Sequence, residues 1–180
     1  MNAVQILIND PPPDTIREAL EARQRAGVLD EVWDGVVHLS PDANRAHSDI
    51  LQQLAERLLS PLARARGLVP SIQPFNLGAG KNDYRIPDGG IFQERSSADW
   101  NLTAELVIEV VSPGDESWNK FDFFAAHSVD EVLIIDPYKR SVDWFGLRGD
   151  RYEPIEQSGV IDLSRAALAQ QIDWPVIEDQ

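Results

Sequence analysis

Leu106-Val107-Ile108-Glu109-Val110-Val111-Ser112-Pro113 is the stretch on which the fold turns. Residues 106–111 are apolar on both alternating faces except at Glu109. A strand of that kind is usually central in a sheet covered on both sides. Ser112-Pro113-Gly114-Asp115 then offers a serine cap, a proline at the first position and an acid three residues after the cap, which predicts a helix over about 113–127. Alternation places Val107, Glu109 and Val111 on one face. A carboxylate there is costly to desolvate unless it is paired or holds a metal. In the bland reading Glu109 points to the sheet edge or pairs with an arginine such as Arg85. In the sharper one it belongs to a site.

Upstream, residues 84–92 read as a strand interrupted at Pro87, and 68–77 as a strand with irregularities at Pro70 and Pro74. A turn separates them at Gly78-Ala79-Gly80-Lys81-Asn82. Ile50, Leu51, Leu54, Ala55, Leu58 and Leu59 fall at helical spacing over 46–60. Pro61 and Gly67 punctuate its end. Asp34-Gly35 between two apolar runs predicts a hairpin, 28–33 with 36–39, because both central positions need positive φ. Pro11-Pro12-Pro13 before Asp14 predicts a helix from about 14 to 25, closed by Gly27. Downstream come a strand at Val132–Ile135 ending in Asp136-Pro137, a hairpin of 141–147 with 151–155, and a short helix over 164–171. The order predicts an α/β fold: a mixed central sheet flanked by helices, with an N-terminal helix and β-hairpin.

The chain has 180 residues, which predicts a single domain over 1–180. It has no cysteine, so disulfides, zinc-thiolate sites and thiol catalysis are excluded. Lys and Arg number 16 against 30 Asp and Glu, a formal net charge of −14. That sign opposes binding to duplex phosphates and to anionic membranes. The acid is uneven, however. Residues 61–120 are nearly balanced and include Arg64, Arg66, Lys81 and Arg85. Local field matters more than net charge for steering a ligand. No apolar run approaches a membrane span. The first residues lack a basic region followed by a long apolar one, so a soluble cytoplasmic protein is expected.

Three features fall in order within the balanced third: Ile86-Pro87-Asp88, Glu109, and Lys120 on the predicted helix. Each has an ordinary explanation. Pro-Asp-Gly is a common turn. Glu116, four residues before Lys120, would make a solvated helical ion pair. In combination, two carboxylates on neighbouring strands can hold a hard divalent cation. Such a cation polarises a phosphodiester and lowers the pKa of bound water. A lysine beside it can orient that water or stabilise developing negative charge.

Asp88, Glu109-Val110-Val111 and Lys120 resemble the PD-(D/E)xK nuclease superfamily, with Val111 at the usual lysine position and the lysine moved to the next helix. More specifically, residues 28 to 140 resemble the Uma-type restriction endonuclease family. The likeness rests on Glu31-Val32-Trp33-Asp34-Gly35, on Ser40-Pro41 followed by His47, and on Ile86-Pro87-Asp88. It continues through residues 106–113, Glu116 and Lys120, and 129–137 ending in Asp136-Pro137. Phe124 takes the family's tyrosine position, and Ser128 stands where the family favours glycine.

The resemblance implies a restriction-endonuclease-like core. It makes Asp88 and Glu109 ligands of Mg²⁺ (or Mn²⁺) and Lys120 the catalytic lysine of a DNA endonuclease. Glu31, His47 and Glu116 are possible accessory residues. Glu31 could complete a second metal site or simply flank the hairpin, and for His47 a hydrogen-bonded place at a helix start is favoured over a ligand-facing base. Trp33 reads as core, and His38 and His127 as incidental. A homodimer would suit cleavage of both strands. Two other functions compete: a catalytically inactive module acting through protein–protein contacts, which the −14 charge and Val111 favour, and a nuclease acting on RNA or structured DNA.

Overall fold

The computed structural model describes residues 4–7, 14–40, 44–114 and 116–176. Strand β1 (Val4–Leu7) and helix α1 (Asp14–Arg25) precede the hairpin β2 (Glu31–Trp33) and β3 (Val36–Leu39). Helices α2 (Arg45–Gln53) and α3 (Ser60–Ala65) follow, then β4 (Val69–Ser71), β5 (Leu77–Gly80), β6 (Asp83–Arg85), β7 (Gly89–Phe92) and β8 (Leu106–Val110). Helix α4 (Phe121–Ala126) leads into β9 (Glu131–Asp136), β10 (Ser141–Arg148), β11 (Arg151–Pro154) and α5 (Arg165–Gln171).

The strands form two sheets. One has the order β11-β10-β9-β8-β7-β4 and the other β1-β3-β2-β6-β5. In the larger sheet only β8 and β9 run parallel, with Glu109 opposite Ile134. That parallel pair needs a crossover, and the crossover is the segment that carries Lys120 and α4. Every residue of β8 and β9 is buried. Leu106, Ile108 and Val110 pack with Ile50, Leu54 and Trp144 in one core cluster. Val107 packs with Phe124, Val132 and Ile134 in the other. Glu109 shares the parity of Val107, so it sits on the side of α4. Val111, at the superfamily's usual lysine position, packs against that second cluster.

The hairpin turn forms as the Asp-Gly pair predicts, with φ of 49° at Asp34 and 81° at Gly35. Helix α1 closes at Gly27, whose φ is 80°. The prolyl lead-in at 11–13 lies outside the described residues, as do Pro41 and Asp115.

Four expected elements are reshaped. The helix over 46–60 is interrupted by a π-helical turn at Leu54–Leu58. Pro61 opens α3 rather than ending a helix, because proline is tolerated in a first turn. The strand over 68–77 ends at Ser71, and residues 77–80 pair in the other sheet. The strand over 84–92 breaks at Pro87 into β6 and β7, which belong to different sheets. Asp88 therefore stands where the chain crosses between sheets. The helix over 113–127 begins late. Gly114 turns the chain at a φ of 84°, a 3₁₀ turn follows at Ser117–Lys120, and α4 proper starts at Phe121. Lys120 thus lies at the mouth of the helix rather than on its face. No sequence signal indicated β1, which pairs with β3 through residues Val4 to Leu7.

Among the described residues no helix is long and apolar enough to cross a membrane.

Candidate active site

Asp88, Glu109, Lys120, Glu31, His47 and Glu116 all line one cavity of about 280 Å³. The two sheets meet there. Asp88 follows Pro87 and accepts the Val110 amide on Oδ2 at 2.8 Å. Since Val110 directly follows Glu109, both carboxylates stand at the same end of the β7–β8 pair. The His47 Nε2 lies 3.0 Å from the same Asp88 oxygen. His47 is positioned by the start of α2, where Asn44 caps the helix by accepting the His47 amide at 3.0 Å.

Glu109 is 3% exposed. Its Oε1 and Oε2 lie 3.0 and 3.3 Å from Lys120 Nζ, and Oε2 also accepts the Ser117 hydroxyl at 3.2 Å. Glu31 brings the other sheet to the same ammonium, at 2.9 Å from Oε1. Glu31 itself is fixed by the Ile86 amide at 2.7 Å and the Trp33 indole at 2.7 Å. One lysine therefore joins β8 to β2. Burial alone would lower the pKa of this ammonium. The charges of Glu109 and Glu31, with Asp88 beyond them, outweigh burial and raise it above its ordinary value. Lys120 stays charged throughout the physiological range.

His47 does stand at a helix start, but two expected pairings are not the ones formed. Glu109 meets Lys120 rather than Arg85. The Arg85 guanidinium is sandwiched between Trp33 and Phe123, at 4.4 and 4.0 Å from the ring centroids. Glu116 does not pair with Lys120 across a solvated helix face. It accepts His38 at 2.8 Å, and Lys120 is buried. His38, expected to be incidental, belongs to the cavity wall. It is buried, stacks on Trp33 at 3.8 Å between centroids and lines the cavity. Its alternation with Val37 in β3, opposite Glu31, was the available signal. His127 is remote, bonded to the Leu102 carbonyl.

A divalent cation suits this donor set. Among the described residues no three His, Cys, Asp or Glu side chains are grouped to cage a metal. Magnesium, however, usually takes one or two carboxylates, keeps several waters and uses substrate phosphates. Asp88 and Glu109 supply such a pair. The carboxylates lining the cavity also outnumber its one lysine, leaving surplus negative charge for a cation to neutralise.

A mixed sheet with helices on its faces, with two carboxylates and a lysine on one cavity at the end of its central strand, matches what the resemblance to the restriction-endonuclease-like class implies. The solved structures agree on the fold. A protein from Anabaena variabilis ATCC 29413, described as "a putative nuclease belonging to DUF820", superposes with a TM-score of 0.60 at 15% identity, over 81% of this chain and 92% of that one. The chain belongs to the Uma2 family, described as "Putative restriction endonuclease", whose profile matches residues 17–175. No curated protein matches it.

Proposed function

We propose that the protein is a metal-dependent endonuclease that hydrolyses phosphodiester bonds of DNA. The observation that carries this reading is the gathering of Asp88, Glu109 and Lys120, from three separate segments, on one cavity. Asp88 and Glu109 would hold Mg²⁺ or Mn²⁺, which when bound polarises the phosphodiester and makes bound water more acidic.

The chain's own residues account for the remainder. Lys120 is locked as an ammonium by Glu109 and Glu31, so it serves as a fixed positive charge beside the developing oxyanion and not as a proton acceptor. Glu31 is a positioning residue. Its bonds to the Ile86 amide and Trp33 set where Lys120 Nζ lies. His47 orients Asp88 through Oδ2, and Oδ1 accepts no hydrogen bond from a described residue.

The net charge of −14 does not oppose this reading once a cation is bound, because the ion is then the largest local charge in the site. The test is nicking of supercoiled plasmid with Mg²⁺, Mn²⁺ or EDTA, with Asp88→Ala, Glu109→Ala and Lys120→Ala run alongside. Metal-dependent nicking abolished by each substitution is expected. Nicking that survives all three would overturn the site assignment.

A further inference from the structure

We propose that the cavity admits one unpaired strand rather than an intact duplex, with a nucleotide's base on its apolar lining and the adjoining phosphate toward Asp88, Glu109 and Lys120. The place of the phosphate rests on the nuclease reading; the preference for an unpaired strand rests on depth, size and lining.

Depth comes first. The side chains of Glu109, Lys120 and Asp88 are 4%, 10% and 19% exposed. All three line a partly open cavity of about 280 Å³, close to the small end of ligand pockets. A shallow cleft can meet phosphates that are fixed on the outside of a stiff double helix. Carboxylates and an ammonium recessed this far meet a phosphate more readily once its nucleotide leaves the stack. Extrusion costs a few kcal/mol and is least costly for a base already unpaired.

The lining agrees with this occupant. Beside the charged groups the cavity is walled by Val28, Leu29, Leu39, Pro74 and Ile86. An apolar wall gains by covering the face of a base, and every base presents such a face, so preference would follow pairing state more than sequence. Charge agrees as well. A chain with 16 basic against 30 acidic side chains lacks the means to neutralise many phosphates along a duplex footprint. A single nucleotide held by a cation and a wall needs no such footprint.

The experiment uses a fluorescein-labelled single strand, its perfect duplex, and the same duplex with a central unpaired bubble. Binding is followed by anisotropy with Ca²⁺, a hard cation that also takes oxygen ligands. Cleavage is followed with Mg²⁺. The single strand and the bubble should bind at least tenfold more tightly than the duplex, with cuts confined to the bubble. Leu29→Ser, at a wall residue 44% exposed, should weaken single-strand binding about fivefold through lost apolar contact while the Mg²⁺-induced rise in Tm persists. Duplex bound as tightly as single strand, or no binding of any substrate, would overturn the proposal. Preference for the unpaired strand without any cleavage would sustain the pocket and overturn the nuclease reading.

Discussion

Lys120 Nζ donates to both carboxylate oxygens of Glu109, at 3.0 and 3.3 Å, with all three atoms in the interior. The same ammonium lies 2.9 Å from Glu31 on the other sheet. Two buried carboxylates are thus held together by one cation. Removing a single partner from such a set leaves charge without compensation. Lys120→Met should therefore destabilise the protein by about 3–5 kcal/mol, and the triple change Lys120→Met, Glu109→Gln, Glu31→Gln by less. Urea unfolding of both variants checks this. A single variant within 1 kcal/mol of wild type would show that the carboxylates are compensated by something other than Lys120.

The same cluster predicts an alkaline limit to stability. The folded pKa of Lys120 is raised above its ordinary 10.5. The folded state therefore keeps a proton that the unfolded state releases. Its stabilisation is complete below about pH 10 and is lost as pH climbs toward the folded value. Burial also raises Tyr84 and Tyr152. Their neutral forms are favoured in the fold, so their contributions decline over the same window. Stability measured from pH 9 to 11 should fall in wild type. In Lys120→Met the slope should be smaller by up to one proton, about 1.4 kcal/mol per pH unit. Equal slopes would remove Lys120 as a contributor.

The apolar pattern of residues 106–111 was enough to place β8 at the centre of a covered sheet. The Asp34-Gly35 turn was enough to place the hairpin. Both depend on local chemistry. What sequence could not supply was the meeting of the two sheets. Pro87 looked like an irregularity in one strand, yet it divides β6 from β7 and delivers Asp88 to the junction. Glu31 lies two residues from Trp33, but its bond to Lys120 spans the chain and has no periodic trace. The helix start at 112–115 carried the right residues for a cap. Gly114 at a φ of 84° instead turns the chain, which delays the helix and brings Lys120 inward. The pairing of His38 has a similar cause, since its partner Glu116 follows that turn.

Ser128 adopts a φ of 54°, in the left-handed region that is unfavourable for residues with a Cβ. This gives a physical reason for a glycine preference at that position. Its hydroxyl is not needed for the Thr103 bond, which uses the Ser128 carbonyl. Ser128→Gly relieves the strain but also frees the unfolded chain. The net expected effect is a stabilisation of about 0.5 kcal/mol, read as a small rise in Tm. A fall in Tm of more than a degree would show that the side chain contributes more than its backbone strain removes.

Cation binding at Asp88 and Glu109 can be read without any substrate. A ligand that binds only the folded state stabilises it by RT ln(1 + [L]/Kd), about 1.4 kcal/mol at ten times Kd. Mg²⁺ or Mn²⁺ in the millimolar range should therefore raise Tm in wild type, and EDTA should reverse the rise. Asp88→Asn removes one anionic ligand while keeping an oxygen that can accept the Val110 amide. The metal-dependent shift should disappear in that variant, and its metal-free Tm should stay within a few degrees of wild type. Glu109→Gln should also abolish the shift, but at a lower starting Tm, because it leaves Lys120 with one fewer carboxylate. An undiminished Mg²⁺ shift in both variants would place the cation elsewhere in the protein.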